Sequence, residues 1–315
     1  MNRKAVIFGF KGYKLSKKEK SFFKKVKPWG VILFSRNIKD VYQLKILIED
    51  IKKNIKDVNY PILIDQEGGK VSRLDKIINL SFFSQNFFAK LYNSNKKLFF
   101  SSYKIYTDRV CDLLKYTGIN INTVPVLDVL RKKSHNIIGD RAFSNKSSVV
   151  TKLGQMCIEL HKNNKIATVM KHIPGHGMSK FDSHFKTSLI KAKKKELVKK
   201  DFKPFSKCKP FFSMTAHLIY TAYDSYNTAT HSKTIINKVI RKKINFRGII
   251  ISDDISMKAL KYKIEENAIR AIRAGCNLIL HCNGNLNEMK KLAKVIPKID
   301  NFTKKKTSDF YKFLG

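Results

Sequence analysis

Two stretches of this chain bring proton-transferring and charged side chains together at short range. In the first, Lys171-His172-Ile173-Pro174-Gly175-His176-Gly177 is followed, after four residues, by Asp182-Ser183-His184. Pro174, Gly175 and Gly177 make a tight, non-helical loop. Asp182 and His184 are two residues apart, and in an extended chain positions i and i+2 project to the same side. A carboxylate so placed orients and polarises an imidazole, the arrangement a proton-transfer group needs near neutral pH. The second stretch is Asp253-Asp254. Adjacent strand residues face opposite sides, so one of these carboxylates can serve chemistry, and the pattern alone leaves open which.

More polar groups follow short apolar runs. Asp65 and Glu67 come after one, Asp128 and then Asp140-Arg141 after the next, and His217 after a later one. Arg141 beside Asp140 is also open to a purely local ion pair. Glu67 and His176 read as braces of their loops, while His217 and Asp128 are left outside the candidate site.

These groups need elements to position them. Eight β-rich runs recur: Ala5–Gly9, Gly30–Phe34, Pro61–Ile64, Ile119–Val126, Ile166–Met170, Phe211–Thr215, Gly248–Ile251 and Asn277–His281. Most are continuously apolar, as expected of parallel strands covered on both faces. Helices are expected at Val41–Ile55, Lys97–Tyr116, Ser147–Asn163, Lys233–Lys243, Ser256–Ala274 and Asn287–Val295, with Ala274-Gly275 as a helix stop. The interval Leu74–Thr117 holds no clear strand and predicts a long connection plus a helix. Eight β/α repeats in 315 residues predict an α/β protein built as a single (β/α)8 barrel, one catalytic domain over 1–315. No G-x-G-x-x-G follows the first run to support an open dinucleotide-binding sheet. In a barrel, loops at the C-terminal ends of the strands carry the chemistry, and the reactive residues sit there.

The string around His172 and His184, together with Asp65-Gln66-Glu67-Gly68-Gly69-Lys70-Val71-Ser72-Arg73-Leu74, resembles glycoside hydrolase family 3. It is similar in particular to the bacterial β-N-acetylglucosaminidase branch that recycles peptidoglycan fragments. Ile138-Gly139-Asp140-Arg141-Ala142-Phe143-Ser144 and Ser252-Asp253-Asp254-Ile255-Ser256-Met257 extend the resemblance, with weaker support from Val124–Asp128 and Met214–His217. The resemblance implies that Asp253 is a nucleophile forming a glycosyl-enzyme intermediate, that His184 is the acid/base and that Asp182 is its partner. It implies that Asp65, Arg73, Arg141, Lys171 and His172 hold the terminal N-acetylglucosamine. The expected reaction is double displacement without metal or organic cofactor, on a glycan substrate of the GlcNAc-anhydro-muropeptide type. A retaining glycosidase ordinarily uses two carboxylates about 5 Å apart; here a His–Asp pair replaces one. Lys70 stands where the family often has Arg, and Ser81–Asn95 lacks the family's Pro/Ala-rich text. The second domain of many larger family members is not expected.

Composition bounds the rest. The net charge of +40 is spread along the whole chain rather than gathered into a stripe, and Lys, Asn and Ile are abundant together. That favours solvated helix faces over a nucleic-acid surface; a basic field that steers an anionic substrate is the functional alternative. Five scattered cysteines without a CxxC fit a reducing compartment. No run is long enough to span a bilayer and no signal-peptide core opens the chain. A cytoplasmic monomer without membrane or nucleic-acid partners is expected. Two rivals remain: a phosphorylase of the same family, in which a neutral imidazole tolerates phosphate, and a basic nucleic-acid-binding protein on an inactive barrel.

Overall fold

The computed structural model describes residues 2–131, 138–179 and 187–315. Ten strands occur in chain order: β1 (Lys4–Phe8), β2 (Pro28–Leu33), β3 (Ile62–Ile64), β4 (Ile121–Asn122), β5 (Ala167–Ile173), β6 (Ser188–Ile190), β7 (Phe212–Thr215), β8 (Leu218–Tyr220), β9 (Ile249–Asp254) and β10 (Leu278–His281). Eight of them close a parallel barrel in the order β1-β10-β9-β7-β5-β4-β3-β2. Each of the eight apolar runs read from the sequence supplies one stave. Their side chains are almost wholly buried, because the barrel interior takes one face and the surrounding helices the other.

The staves are short, and side chains finish what the backbone leaves open. At the two-residue β4, Asn120 accepts from the Ile62 amide and donates to Tyr60 O, at 2.9 and 3.0 Å. Asn122 likewise accepts from the Gln66 amide and donates to Gln66 O, both at 3.0 Å. Two side-chain amides thus extend a ladder that the main chain begins with only two residues.

Helices pack outside. Val41–Ile55 starts where Asp40 accepts from the Gln43 amide and ends at Lys56 in the left-handed region. Ser147–Asn163 runs as the sequence predicts. Ile264–Ala274 ends at Gly275, but it begins eight residues later than Ser256. The delay has a cause: Ser256 is tied back to the Asp254 carboxylate through N–H and hydroxyl, which makes a turn there instead of a helix. The Leu74–Thr117 interval carries two helices, Gln85–Ser94 and Lys96–Thr117. Ile235–Lys243 is a π-helix.

Several features went unforeseen, among them the short helices Lys194–Lys199 and Phe202–Lys207. Lys17–Val26 and the C-terminal Asn301–Leu314 are helices, and β6 pairs with β8 outside the barrel. The last helix is docked by Trp29 Nε1 donating to Thr307 Oγ1 (2.9 Å) and by an Arg3–Asp57–Tyr311 cluster. Among the described residues no helix is long and apolar enough to cross a membrane.

Candidate active site

The C-terminal ends of β3, β5, β9 and β10 surround one cavity, lined among others by Asp65, Glu67, Arg73, Arg141, Lys171, His172 and Asp253. Lys171 and His172 are neighbours, yet both reach it. The pairing of β5 with β7 shifts register between Lys171 and Ile173, and such a bulge re-aims side chains at a strand end.

Lys171 is the electrostatic hub. Its Nζ donates to Asp65 Oδ1 (3.0 Å) and Thr123 Oγ1 (2.8 Å) and forms an ion pair with Glu67 Oε1 at 2.6 Å. Glu67 in turn receives Arg141 through Nε (2.8 Å) and Nη2 (2.9 Å), a two-pronged pair. Asp140, beside Arg141 in sequence, instead faces Lys70 at 3.4 Å, so the Asp140–Arg141 pair that the sequence leaves open is not the one formed. Burial alone would raise the Glu67 carboxyl, but the Arg141 and Lys171 charges outweigh it and hold it at about 2. The same contest, with Lys171 and Arg73 as the opposing charges, leaves Asp65 well below the ordinary carboxylate range.

Arg73 approaches Asp65 at 3.6 Å and lies against the Phe34 ring. Its Nε–H is buried without a hydrogen-bond acceptor among the described residues. A donor left so at a cavity wall is a natural contact for a ligand oxygen.

Asp128 steers the histidines. Its Oδ2 takes His172 Nδ1 at 2.8 Å, and its Oδ1 takes the amides of His172 (3.2 Å) and His176 (2.6 Å). With Nδ1 engaged, His172 has Nε2 left for the cavity. The loop beyond β5 is further held by Tyr220, whose hydroxyl donates to Gly175 O at 2.6 Å. Gly177 passes so close to Val129 that a Cβ there would lie 1.9 Å from the Val129 carbonyl oxygen.

At the end of β9 the two carboxylates part company. Asp254 accepts from Ser256 N (3.1 Å) and Ser256 Oγ (2.7 Å), both local turn bonds, and from Cys282 N (3.2 Å) just beyond β10. Asp253 lines the cavity and accepts the Asp254 amide at 2.7 Å. Burial pushes its carboxyl up, but His217, His172, that amide and Lys171 outweigh burial, so it lies below its ordinary value. His217, beneath it, meets Asp254 O through Nε2 (3.0 Å) and Thr230 Oγ1 through Nδ1 (2.7 Å). A carbonyl can only accept, so Nε2 carries a proton directed at Asp254 O, and burial lowers the pKa of this ring.

The structure thus brings together Asp253, Asp65, Arg73, Arg141, Lys171 and His172. Asp182 and His184 lie outside the described residues. Thr123, Asp128 and His217 belong to the site's support although the sequence does not single out their partners. Their one signal is position, since each follows a strand. Among the described residues no cluster of three or more His, Cys, Asp or Glu is arranged to hold a metal ion.

A (β/α)8 barrel with an ionised carboxylate beside fixed cations, imidazole and an unsatisfied guanidinium N–H is equipped to grip hydroxyls and attack a carbon between them, as a glycoside hydrolase does. Residues 4–308 match the model of the glycosyl hydrolase family 3 N terminal domain, and the chain belongs to that family. It is 32% identical over 297 residues to a β-hexosaminidase of Actinobacillus pleuropneumoniae serotype 5b (strain L20), covering 88% of this chain and 81% of that one. It is 31% identical to the β-hexosaminidase of Psychromonas ingrahamii, covering 97% and 88%. The structure of NagZ from Neisseria gonorrhoeae in complex with N-trifluoroacetyl-D-glucosamine superposes with a TM-score of 0.85 at 26% identity, over 100% of this chain and 90% of that one.

Proposed function

We propose that this hydrolase is a retaining β-N-acetylglucosaminidase that releases terminal non-reducing N-acetylglucosamine from peptidoglycan-derived muropeptides, with Asp253 as nucleophile. One observation carries the reading: of two adjacent carboxylates, Asp254 is taken up by hydrogen bonds from Ser256 and Cys282 while Asp253 faces the cavity beside Lys171 and His172. In the first displacement the Asp253 carboxylate bonds to the anomeric carbon as the glycosidic C–O bond breaks. His184, protonated, gives its proton to the departing oxygen. In the second, His184 takes a proton from water, the water oxygen bonds to the same carbon, and the Asp253 carboxylate leaves. Two inversions return the original configuration.

Asp182 orients His184. This assignment rests on their spacing and on the family motif. Glu67, a further carboxyl lining the cavity, is unsuited to donate a proton at neutral pH, because at about 2 it stays ionised between Arg141 and Lys171. Sugar binding falls to Asp65, Arg73, Arg141, Lys171 and His172. Arg73 has its buried Nε–H to offer. Lys171 is held by Asp65, Thr123 and Glu67, so its main part is to fix those two carboxylates. The β-hexosaminidase relatives, and the acylated glucosamine in the neighbouring structure, support a 2-acylamino sugar. We place the enzyme in the cytoplasm as a single-domain monomer that works without metal or organic cofactor.

The test is turnover of a chromogenic β-N-acetylglucosaminide beside the matching β-glucoside, with and without phosphate. Clear preference for the 2-acetamido sugar, with water as acceptor, is expected. Equal rates would refute the substrate assignment, and sugar 1-phosphate as the product would replace the hydrolase by a phosphorylase.

A further inference from the structure

A second cavity lies apart from the catalytic one. It has a volume of about 510 Å³, inside the roughly 300–1,000 Å³ typical of small-molecule sites. It opens at the opposite end of the barrel. Its lining includes Ile166, Ala167 and Thr168 at the start of β5, Phe211 just before β7, and Phe246 and Gly248 just before β9. The helix Ser147–Asn163 gives Ile158 and Lys162, and the last helix, Asn301–Leu314, gives Lys306, Asp309 and Phe313. The same staves carry Lys171 and Asp253 at their far ends, so the two cavities share walls but not an opening.

Its chemistry is divided. The inner walls are apolar, with the Phe211 and Phe313 rings 5.1 Å apart forming one side and Phe246 buried behind. The mouth is basic: Lys162, Lys209, Arg247 and Lys306 face a single carboxylate, Asp309, which holds Lys306 at 3.3 Å. Lys209 spends two protons on Ile244 O and Asn245 O, at 2.8 and 2.9 Å, and keeps one. Arg247 uses Nε on Asn245 Oδ1 (2.8 Å), which leaves both terminal nitrogens. The Lys162 ammonium has no hydrogen bond or ion pair among the described residues. Neither N-acetylglucosamine, neutral and polar throughout, nor a metal cation suits such a place.

We infer that this end of the barrel is a binding site for a small amphipathic anion, whose apolar body enters between Phe211, Phe246 and Phe313 while its carboxylate or phosphate head meets Lys162, Lys209 and Arg247. Charge-assisted hydrogen bonds from these exposed cations hold the head, and burial of the tail drives entry. The site is separate from hydrolysis, so the ligand is neither substrate nor product.

Decanoate is the probe, titrated by calorimetry below its micellar range, with decyltrimethylammonium as the cationic control. Hydrogen–deuterium exchange maps the contact on the unmodified protein. The expected result is saturable one-to-one binding of decanoate alone. Protection should be confined to segments 158–168, 209–211, 245–248 and 306–313. In Lys162→Glu/Arg247→Glu, binding should weaken roughly tenfold or more, the loss expected for two charged hydrogen bonds, with glycosidase turnover unchanged. Equal binding of the cationic control, protection elsewhere, or affinity unaffected by the double reversal would overturn the inference. So would binding to phosphatidylglycerol vesicles without binding of monomeric decanoate.

Discussion

Asp253 and Asp254 are neighbours with opposite employment, and the difference lies in who holds their oxygens. Asp254 is satisfied by Ser256 and Cys282. Asp253 is kept ionised by groups around the cavity. Asp253→Ala should therefore lower kcat by roughly 10⁴-fold or more, as loss of a nucleophile does. Asp254→Asn keeps an acceptor oxygen for the turn and should stay within about tenfold of the parent. A 2-fluoro sugar that forms but does not release its intermediate should be found on the Asp253 peptide by mass spectrometry. A label on Asp254, or an inverted product anomer, would remove Asp253 from its role. The sequence names most of the cavity residues through its motifs but not their pairings. Glu67 and Arg141 meet across 74 positions of chain, and no local pattern encodes a contact of that separation. The nearer partner in sequence, Asp140, is taken by Lys70 instead.

At the scale of elements, the loop after β5 depends on a close backbone approach. Gly177 lies where any Cβ would collide with Val129 O, and immediately before Val129, Asp128 holds His172 and His176. Gly177→Ala should cost about 1–3 kcal/mol of stability, the usual range for overpacking. It should also depress kcat/KM, because the strain reaches Asp128. Thermal melting and turnover measured together decide it: an unchanged melting temperature with intact kinetics would show the contact to be slack. The elements themselves were unevenly legible. All eight staves stand out as apolar runs because both their faces are covered. The helix Lys17–Val26 did not, for its lysines leave only a narrow apolar stripe around Phe22 and Phe23. Three-residue strands such as β6, with Leu189 half exposed, carry too little periodicity to be read at all.

For the molecule as a whole, buried imidazoles make acid the weak side. Burial lowers His161, His176 and His231 to about 4 each, against roughly 6.5 for a free ring. Between those values the unfolded chain takes up protons that the folded one refuses. Their contribution is complete above about pH 6.5 and is lost as pH falls toward 4. Asp201 runs the other way. Burial raises it to about 6, so over roughly pH 4–6 it gives back one proton's worth. The net expectation is a fall in unfolding free energy from pH 7 to pH 5 with a slope near two protons, measured by urea titration. Added salt should hold the self-repulsion of a +40 chain constant. Stability that is flat or rises on acidification over that interval would mean these rings are protonated when folded.

The barrel's closure at β4 has a consequence for how the sequence can drift. Most of the ladder is made of peptide groups, which every residue except proline supplies alike, so mutation cannot easily reach it. Between β3 and β4 part of the ladder is made of Asn120 and Asn122 side chains. There a one-atom change, amide to carboxylate, turns a donor into a second acceptor aimed at a carbonyl. This stave is heritable in a way its neighbours are not, and because Asn122 grips Gln66, next to Glu67, variation in the frame and variation in the catalytic cup are forced to travel together.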